Sequence, residues 1–204
     1  ALTAPFRHAI RLNTPIESVR RLKKSVRIKP VQGEEETFDY VFLTCHSDQA
    51  LSMLSDKSAA ETEILGAIPY QDNTVFLHHD VSLLPKRKLA WAAWNYHVTK
   101  PAADRVAVTY NMNILQNLQS QEPLLVTLNH TGPIAPEKII KRLHYKHPLY
   151  TLAGAAAQAR HAEISGVNRT GFAGAYWRNG FHEDGVVSAL AALDHFRQFC
   201  DAQN

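Results

Sequence analysis

The sequence predicts an α/β chain (equally describable as α+β), built from strands, capped helices and one long closing helix. Three observations predict it. Ser25-Val-Arg-Ile-Lys alternates with period two, as a half-buried strand does. Ser58-Ala-Ala-Glu61 is a capping box directly before an apolar stretch. Val186 to Phe199 carries Val187, Leu190, Ala191, Leu193 and Phe196 near helical spacing. A chain of 204 residues has enough length for a real core, as one large domain or two small ones.

In chain order, Ala1 to His8 reads as the tail of a helix and residues 10 to 45 read as strands. Ile10-Arg-Leu precedes Pro15-Ile16 and Val19. Gly33 and the acidic run Glu34 to Glu36 make a turn, and Phe38 to Cys45 (FDYVFLTC) reads as one continuous, central apolar strand. Ser47-Asp48 caps a helix from Gln49 to Leu54. The helix opened by Ser58 ends at Gly66. Thr74 to His79, Leu89 to Val98, Val106 to Met112 and Leu124 to Leu128 read as four strands of one antiparallel or mixed sheet. Pro85, Lys86-Arg87-Lys88, Pro101 and Gln119-Ser120-Gln121 separate them. Pro136 to His147 reads as a short amphipathic helix on Ile139, Ile140 and Leu143, with proline acceptable at its first position. Ala155 to Ile164 is a further helix, and Thr170 to Trp177 returns as a strand. Residues 1–50 and 165–204 are expected to share one domain, with 51–164 inserted as a second.

Composition excludes several function classes. Apolar content of 45% and charged content of 20% are those of a soluble globular protein. The net charge of +3 is too mild to argue for nucleic acid. Cys45 and Cys200 lie far apart and read as free thiols in a reducing cytosol. No apolar run approaches the ~20 residues that span a bilayer. The eleven histidines form three candidate metal groups: His78-His79-Asp80, His144-x-x-His147 and His182-Glu183-Asp184. Neighbours on a strand point to opposite faces. An HxxH on one helix face lacks the glutamate and third ligand of a zinc hydrolase. The reading is therefore no metal. A nucleophilic triad has no G-x-S-x-G to support it.

The chemically suggestive stretch is Thr170 to Gly185. Small residues, Gly171, Gly174 and Ala175, precede a polar turn, the acidic pair Glu183-Asp184, Gly185 and a helix start. Small residues let a ligand approach the backbone. The first amides of a helix present partial positive charge. An ordinary strand, turn and capped helix would read the same way.

The string "FAGAYW…NGFHEDGVVSAL", together with "HSDQAL" and "AWAAWNYH", resembles the FAD-dependent amine oxidoreductases. This broad group holds monoamine oxidases, protoporphyrinogen oxidases and carotene desaturases, and the likeness is to its bacterial branch of flavin-containing amine oxidase proteins. It runs from about Ile10 to Phe196. It implies the C-terminal part of an FAD-binding domain (1–50 and 165–204) plus an inserted substrate domain (51–164) with flanking helices. It also implies non-covalent FAD chemistry with hydride transfer from a small or hydrophobic substrate to flavin N5, in a protein that its cysteines already place in the cytoplasm. The cofactor contacts it implies are Ile16 and Cys45 near the adenosine and pyrophosphate, and Gly174, Ala175, Gly185 and Val186 near the flavin. Trp94, Tyr96, Tyr110, Trp177 and Phe181 would line the substrate pocket. No catalytic base is implied.

Relatives place a GxGxxG unit near their N-terminus, and none occurs in this sequence. The chain is thus expected to be a C-terminal fragment, inactive alone, whose partners are a substrate and the missing dinucleotide-binding portion. A proteolytic product, a deliberately expressed piece and a separately encoded piece fit equally. Ala175 stands where many relatives have an acid. The strand Asn73-Thr-Val-Phe-Leu lacks the lysine of monoamine oxidases. A desaturase-like or isomerase-like reaction is therefore as open as amine oxidation. The rival from another class is a binding or scaffold module without cofactor. A His-site metalloenzyme is a third.

Overall fold

The computed structural model describes residues 2–98 and 105–202. Two compact units divide the chain: Ala1–Pro69 with Pro148–Asn204, and Tyr70–His147.

The first unit opens with a 3-10 helix, Ala4–Ala9, and then a three-stranded antiparallel sheet of β1 (Ile16–Arg21), β2 (Val26–Pro30) and β3 (Glu36–Phe38). Residues 10–12, expected as a strand, are outside this sheet. The run FDYVFLTC is not one strand. It breaks at Asp39-Tyr40 into β3 and β4 (Val41–Leu43), which belong to different sheets. The helices α1 (Ser47–Met53) and α2 (Ala59–Gly66) follow. The capping box of α2 is present as read: the Glu61 amide donates to Ser58 Oγ at 3.1 Å, and the Ser58 amide donates to Glu61 Oε2 at 2.7 Å.

In the second unit, β5 (Tyr70–His78), β6 (Trp94–His97) and β7 (Ala107–Asn111) lead to a short α3 (Met112–Gln116), then β8 (Leu125–Leu128) and β9 (Ile139–Pro148). They form one five-stranded sheet in the order β6-β7-β8-β5-β9, with antiparallel pairing at β6/β7, β7/β8 and β5/β8. Leu89 to Val98 is a strand only from Trp94. Residues Lys88–Ala90 make a 3-10 turn, and Pro101 lies outside the described residues. The amphipathic helix expected at 136–147 is instead β9, an edge strand with mostly exposed side chains. Three apolar residues at helical spacing fit an edge strand equally well when neither face is buried. His144 and His147 therefore sit on a strand, where an odd separation places them on opposite faces.

The chain returns to the first unit with α4 (Leu152–Ala159), β10 (Thr170–Phe172) and α5 (His182–Asp201). The helix expected to Ile164 stops at Ala159 and resumes as a 3-10 turn, His161–Glu163. The strand expected to Trp177 ends at Phe172, and Ala175–Trp177 is a 3-10 turn. β10 pairs in parallel with β4, Thr170 to Val41 and Phe172 to Leu43. Phe172, Val19, Leu54, Ile64 and Leu65 are fully buried in this core. Gly171 pairs with Phe42, and a Cβ there would meet Phe42 Cδ1 at 2.6 Å. The bare glycine lets that ring cross the strand pair to reach Phe196 of α5, centroid to centroid 5.5 Å.

Candidate functional site

The carboxyl ends of the parallel strands β4 and β10 leave the sheet side by side, with the Ala173 amide donating to the Leu43 carbonyl at 3.1 Å. Cys45 follows one strand and Gly174 the other. In open α/β sheets this end of parallel strands, where chains turn into helices, is the usual ligand crevice.

The segment after β10 is held in place by two side chains the sequence reading did not single out. Ser188 Oγ accepts from the Gly174 amide at 2.9 Å and donates to the Gly185 carbonyl at 2.8 Å, tying the loop to α5. Gln158 Nε2 donates to the carbonyls of Tyr176 and Arg178, each at 2.8 Å. Both read in sequence as unremarkable polar residues within helices. A serine three residues after a glycine at a helix start is the one trace of this in the sequence.

Helix α5 begins at His182, four residues before the expected Val186. The supposed polar turn Glu183–Gly185 is its first turn, where acids suit the helix dipole. Asp184 is a cap, because the Phe181 amide donates to its Oδ2 at 3.0 Å. Arg178 Nε stands 3.6 Å from the other carboxylate oxygen. Gly185 is already inside the helix, its amide donating to the Phe181 carbonyl at 3.3 Å. The amides without a helical acceptor are those of His182, Glu183 and Asp184.

The structure brings Gly174, Ala175 and Gly185 together. A Cβ built on Gly185 would come 3.9 Å from the Ala175 nitrogen. A Cβ on Gly174 would come 2.4 Å from Tyr176 Cε1, so the chain's own buried tyrosine requires a glycine there. Trp177 and Phe181, read as one pair, differ sharply: Trp177 is 5% exposed and Phe181 62%. The Trp177 ring lies 4.4 Å from His161, whose Nε2 is 2.7 Å from the Phe172 carbonyl oxygen and therefore carries its proton. Burial, with His195 nearby, depresses the His161 pKa more than that carbonyl raises it. Trp177 Nε1 is buried with no hydrogen-bond partner among the described residues. Burial pushes the Cys45 thiol up, so it is not an activated nucleophile. Ile16 lines a different cleft of about 430 Å³ in the same unit, beside Thr14, Pro30 and Phe38.

In the second unit, Trp94 faces Tyr110 across β6/β7 at 5.4 Å, and Tyr96 shares their face of the sheet. Trp94 is 59% and Tyr96 65% exposed. The opposite face is polar and buried. His97 Nε2, Thr109 Oγ1, Thr127 Oγ1 and His78 Nε2 form a chain of three 2.7 Å hydrogen bonds across four strands, and His78 Nδ1 accepts from the Asp80 amide at 3.0 Å. The period-two polar residues look like a solvent face in sequence, but His78, Thr109 and Thr127 are fully buried. Among the described residues, no three His, Cys, Asp or Glu side chains are grouped to hold a metal, and no helix is long and apolar enough to cross a membrane.

No protein-family model matches the sequence, and no curated protein matches it. Solved structures do. A CLA-producing fatty acid isomerase from P. acnes is 15% identical, with a TM-score of 0.55 over 92% of this chain and 48% of that one. Cyclohexylamine oxidase from Brevibacterium oxydans IH-35A is 11% identical, with a TM-score of 0.58 over 94% of this chain and 50% of that one. A reduced UDP-galactopyranose mutase is 14% identical, with a TM-score of 0.58 over 91% and 47%. The chain thus shares their α/β fold and spans about half of their length.

Proposed function

We propose that this chain is the C-terminal part of an FAD-dependent oxidoreductase of the amine-oxidase-like superfamily. The observation that carries the reading is the meeting of Gly174, Ala175 and the open first turn of α5 at the carboxyl end of the β4/β10 pair. The fold shared with an oxidase, an isomerase and a mutase supports it, as does the motif resemblance. Ala1–Pro69 with Pro148–Asn204 is assigned as part of the FAD-binding domain, and Tyr70–His147 as the substrate domain.

The residues fit the group at the α5 end. Three amides without a helical acceptor and the backbone beside Ala175 and Gly185 offer close approach, and Trp177 Nε1, nearby in sequence, is a buried donor with no partner among the described residues. Asp184, spent on capping, leaves its own turn without an unpaired buried carboxylate. When bound, FAD supplies a hydride acceptor at N5. The chain's contribution is to present amides and the helix dipole toward negative charge on the ring's pyrimidine edge. Ser188 and Gln158 fix the loop from Gly174 to Arg178 that runs beside that helix turn. Gly185 and Val186 contribute backbone closeness rather than free N–H groups. Ile16 and Cys45 would meet the adenosine half, and Trp94, Tyr96 and Tyr110 a small or hydrophobic substrate. The free thiols Cys45 and Cys200 fit a cytoplasmic protein.

The test is a visible spectrum of the chain, and of any longer product of its reading frame, after incubation with FAD and desalting. The expected result is flavin retained by the longer product and not by the 204 residues alone. No flavin on either overturns the proposal in favour of a cofactor-free binding module.

A further inference from the structure

The second unit holds a cleft of about 430 Å³ lined by Thr74, Phe76, Arg105, Asn129, His130, Thr131 and Arg142. Every polar side chain on it can donate a hydrogen bond, and none is acidic. Neither arginine has a carboxylate partner among the described residues. Arg142 lies over the Phe76 ring at 5.5 Å, and Arg105 spends one N–H on the Asp72 carbonyl at 2.7 Å. Surface arginines in this chain are otherwise often paired, as in Arg11–Glu36, Arg160–Glu163 and Arg197–Asp194.

The other walls are preset. Asn129, in the left-handed region at φ 51°, accepts from the Thr74 amide through Oδ1 and donates to Asn73 Oδ1 at 2.7 Å. It is therefore structural, and it leaves the arginines, Thr131 and His130 as the groups available to a ligand. His130 is wedged 5.2 Å from His97, and its Nδ1 is buried without a partner among the described residues. A buried polar atom without a partner costs stability unless something else satisfies it. Two unneutralised guanidinium groups in a concave site favour an anion, and their planar forks match the paired oxygens of a carboxylate or phosphate. The volume is that of a small-molecule site rather than of a bare ion.

We propose that this cleft binds the oxyanion group, carboxylate or phosphate, of an organic molecule between Arg105 and Arg142. The Phe76 ring lies beneath Arg142, and His130 closes one side. All of these residues lie in Tyr70–His147, so the site does not rest on the flavin reading.

The experiment is calorimetric titration of the purified chain, without flavin, with benzoate and with pyrophosphate at low salt. R142Q and R105Q should each weaken binding by about tenfold, the effect of losing charge-assisted hydrogen bonds. R142K, which keeps charge but loses the fork, should fall between R142Q and the parent. K23Q removes an exposed charge from the other unit and should change nothing. Binding of benzoate alone identifies a carboxylate ligand, and of pyrophosphate alone a phosphate ligand. Absence of binding of both probes at millimolar concentration overturns the proposal. So does an affinity unmoved by R105Q and R142Q, or a K23Q loss as large as theirs. Circular dichroism checks that each variant is folded. T131V tests the same cleft without touching charge, and is expected to weaken binding by less than either arginine.

Discussion

Replacing Glu61 by alanine should be among the most damaging single changes in the first unit. Arg21, on β1, is buried with nearly all its donors used. Its Nε donates to Asp56 Oδ1 at 2.8 Å, and its two terminal nitrogens donate to Glu61 Oε1 at 2.7 Å and Oε2 at 2.8 Å. A further bond reaches Thr170 Oγ1 at 3.2 Å, the first residue of β10. Without Glu61, the part-buried Asp56 is the one carboxylate left to Arg21 among the described residues, and Ser58 loses the acceptor that closes the α2 capping box. Removing one partner of a buried pair typically costs about 3–5 kcal/mol. For a chain of this size that corresponds to a fall in melting temperature of about 6 to 20 °C. Urea unfolding followed by circular dichroism measures it. The exposed pair Arg11–Glu36 supplies the control, since R11Q should change stability little. A loss below about 1 kcal/mol in Glu61→Ala, the range of surface pairs, would refute the picture of a sequestered network. The pH dependence has a definite sign. Burial raises the Glu61 pKa, but the hydrogen bonds and charge of Arg21, with the Ser58 bonds, outweigh it and leave it below 4.5. Its stabilisation is therefore complete above that value and lost as pH falls through the lower folded value.

Other outcomes follow from the same structure. Gly174→Ala places a methyl 2.4 Å from Tyr176 Cε1 and should destabilise by about 1–3 kcal/mol without any cofactor, with partial recovery in Gly174→Ala/Tyr176→Leu. A melting temperature unchanged by the alanine would show that the tyrosine gives way freely. Thr127→Val strands the His78 Nε2 donor and takes from Thr109 the hydroxyl it accepts from, and should cost about 1–3 kcal/mol by urea unfolding. The valine pair at 109 and 127 should cost less than the sum of the singles. Burial is the first cause that lowers the pKa of His78, His97, His130 and His161. These neutral rings stabilise fully above 6.5, and stability should decline as pH falls from there toward their folded values. Equal urea midpoints at about pH 7.5 and 5.5 would contradict this.

How legible the fold was depends on how local each cause is. The Ser58–Glu61 capping box lies within four residues, and it was readable. The two-sheet fate of FDYVFLTC was not: its break at Asp39-Tyr40 is set by distant partners, β2 for one half and β10 for the other. β9 imitated a helix because an edge strand with exposed faces carries no burial pattern to distinguish it. At the candidate site, Gly174, Ala175 and Gly185 were readable as small residues near a helix start. The helix itself starts earlier because Asp184 reaches back to Phe181, a cap that looked like a turn acid. Gln158 and Arg21 escaped notice because their partners lie far away in sequence, and Ser188 because the bond that makes it matter reaches fourteen residues back to Gly174.

The threaded polar face of the second unit has a handedness of its own. The Asp80 amide can only donate, so His78 must take its hydrogen on Nε2 and pass it to Thr127. The arrangement that leaves no hydroxyl hydrogen unused then runs from Thr127 to Thr109 and on to His97 Nε2. His97 is thereby left with its hydrogen on Nδ1. A single main-chain N–H two residues past the end of β5 thus dictates which nitrogen a histidine three strands away from His78 presents to its surroundings. Turning the Thr109 hydroxyl back toward Thr127 would strand the Thr127 hydrogen and put the His97 hydrogen on Nε2 instead.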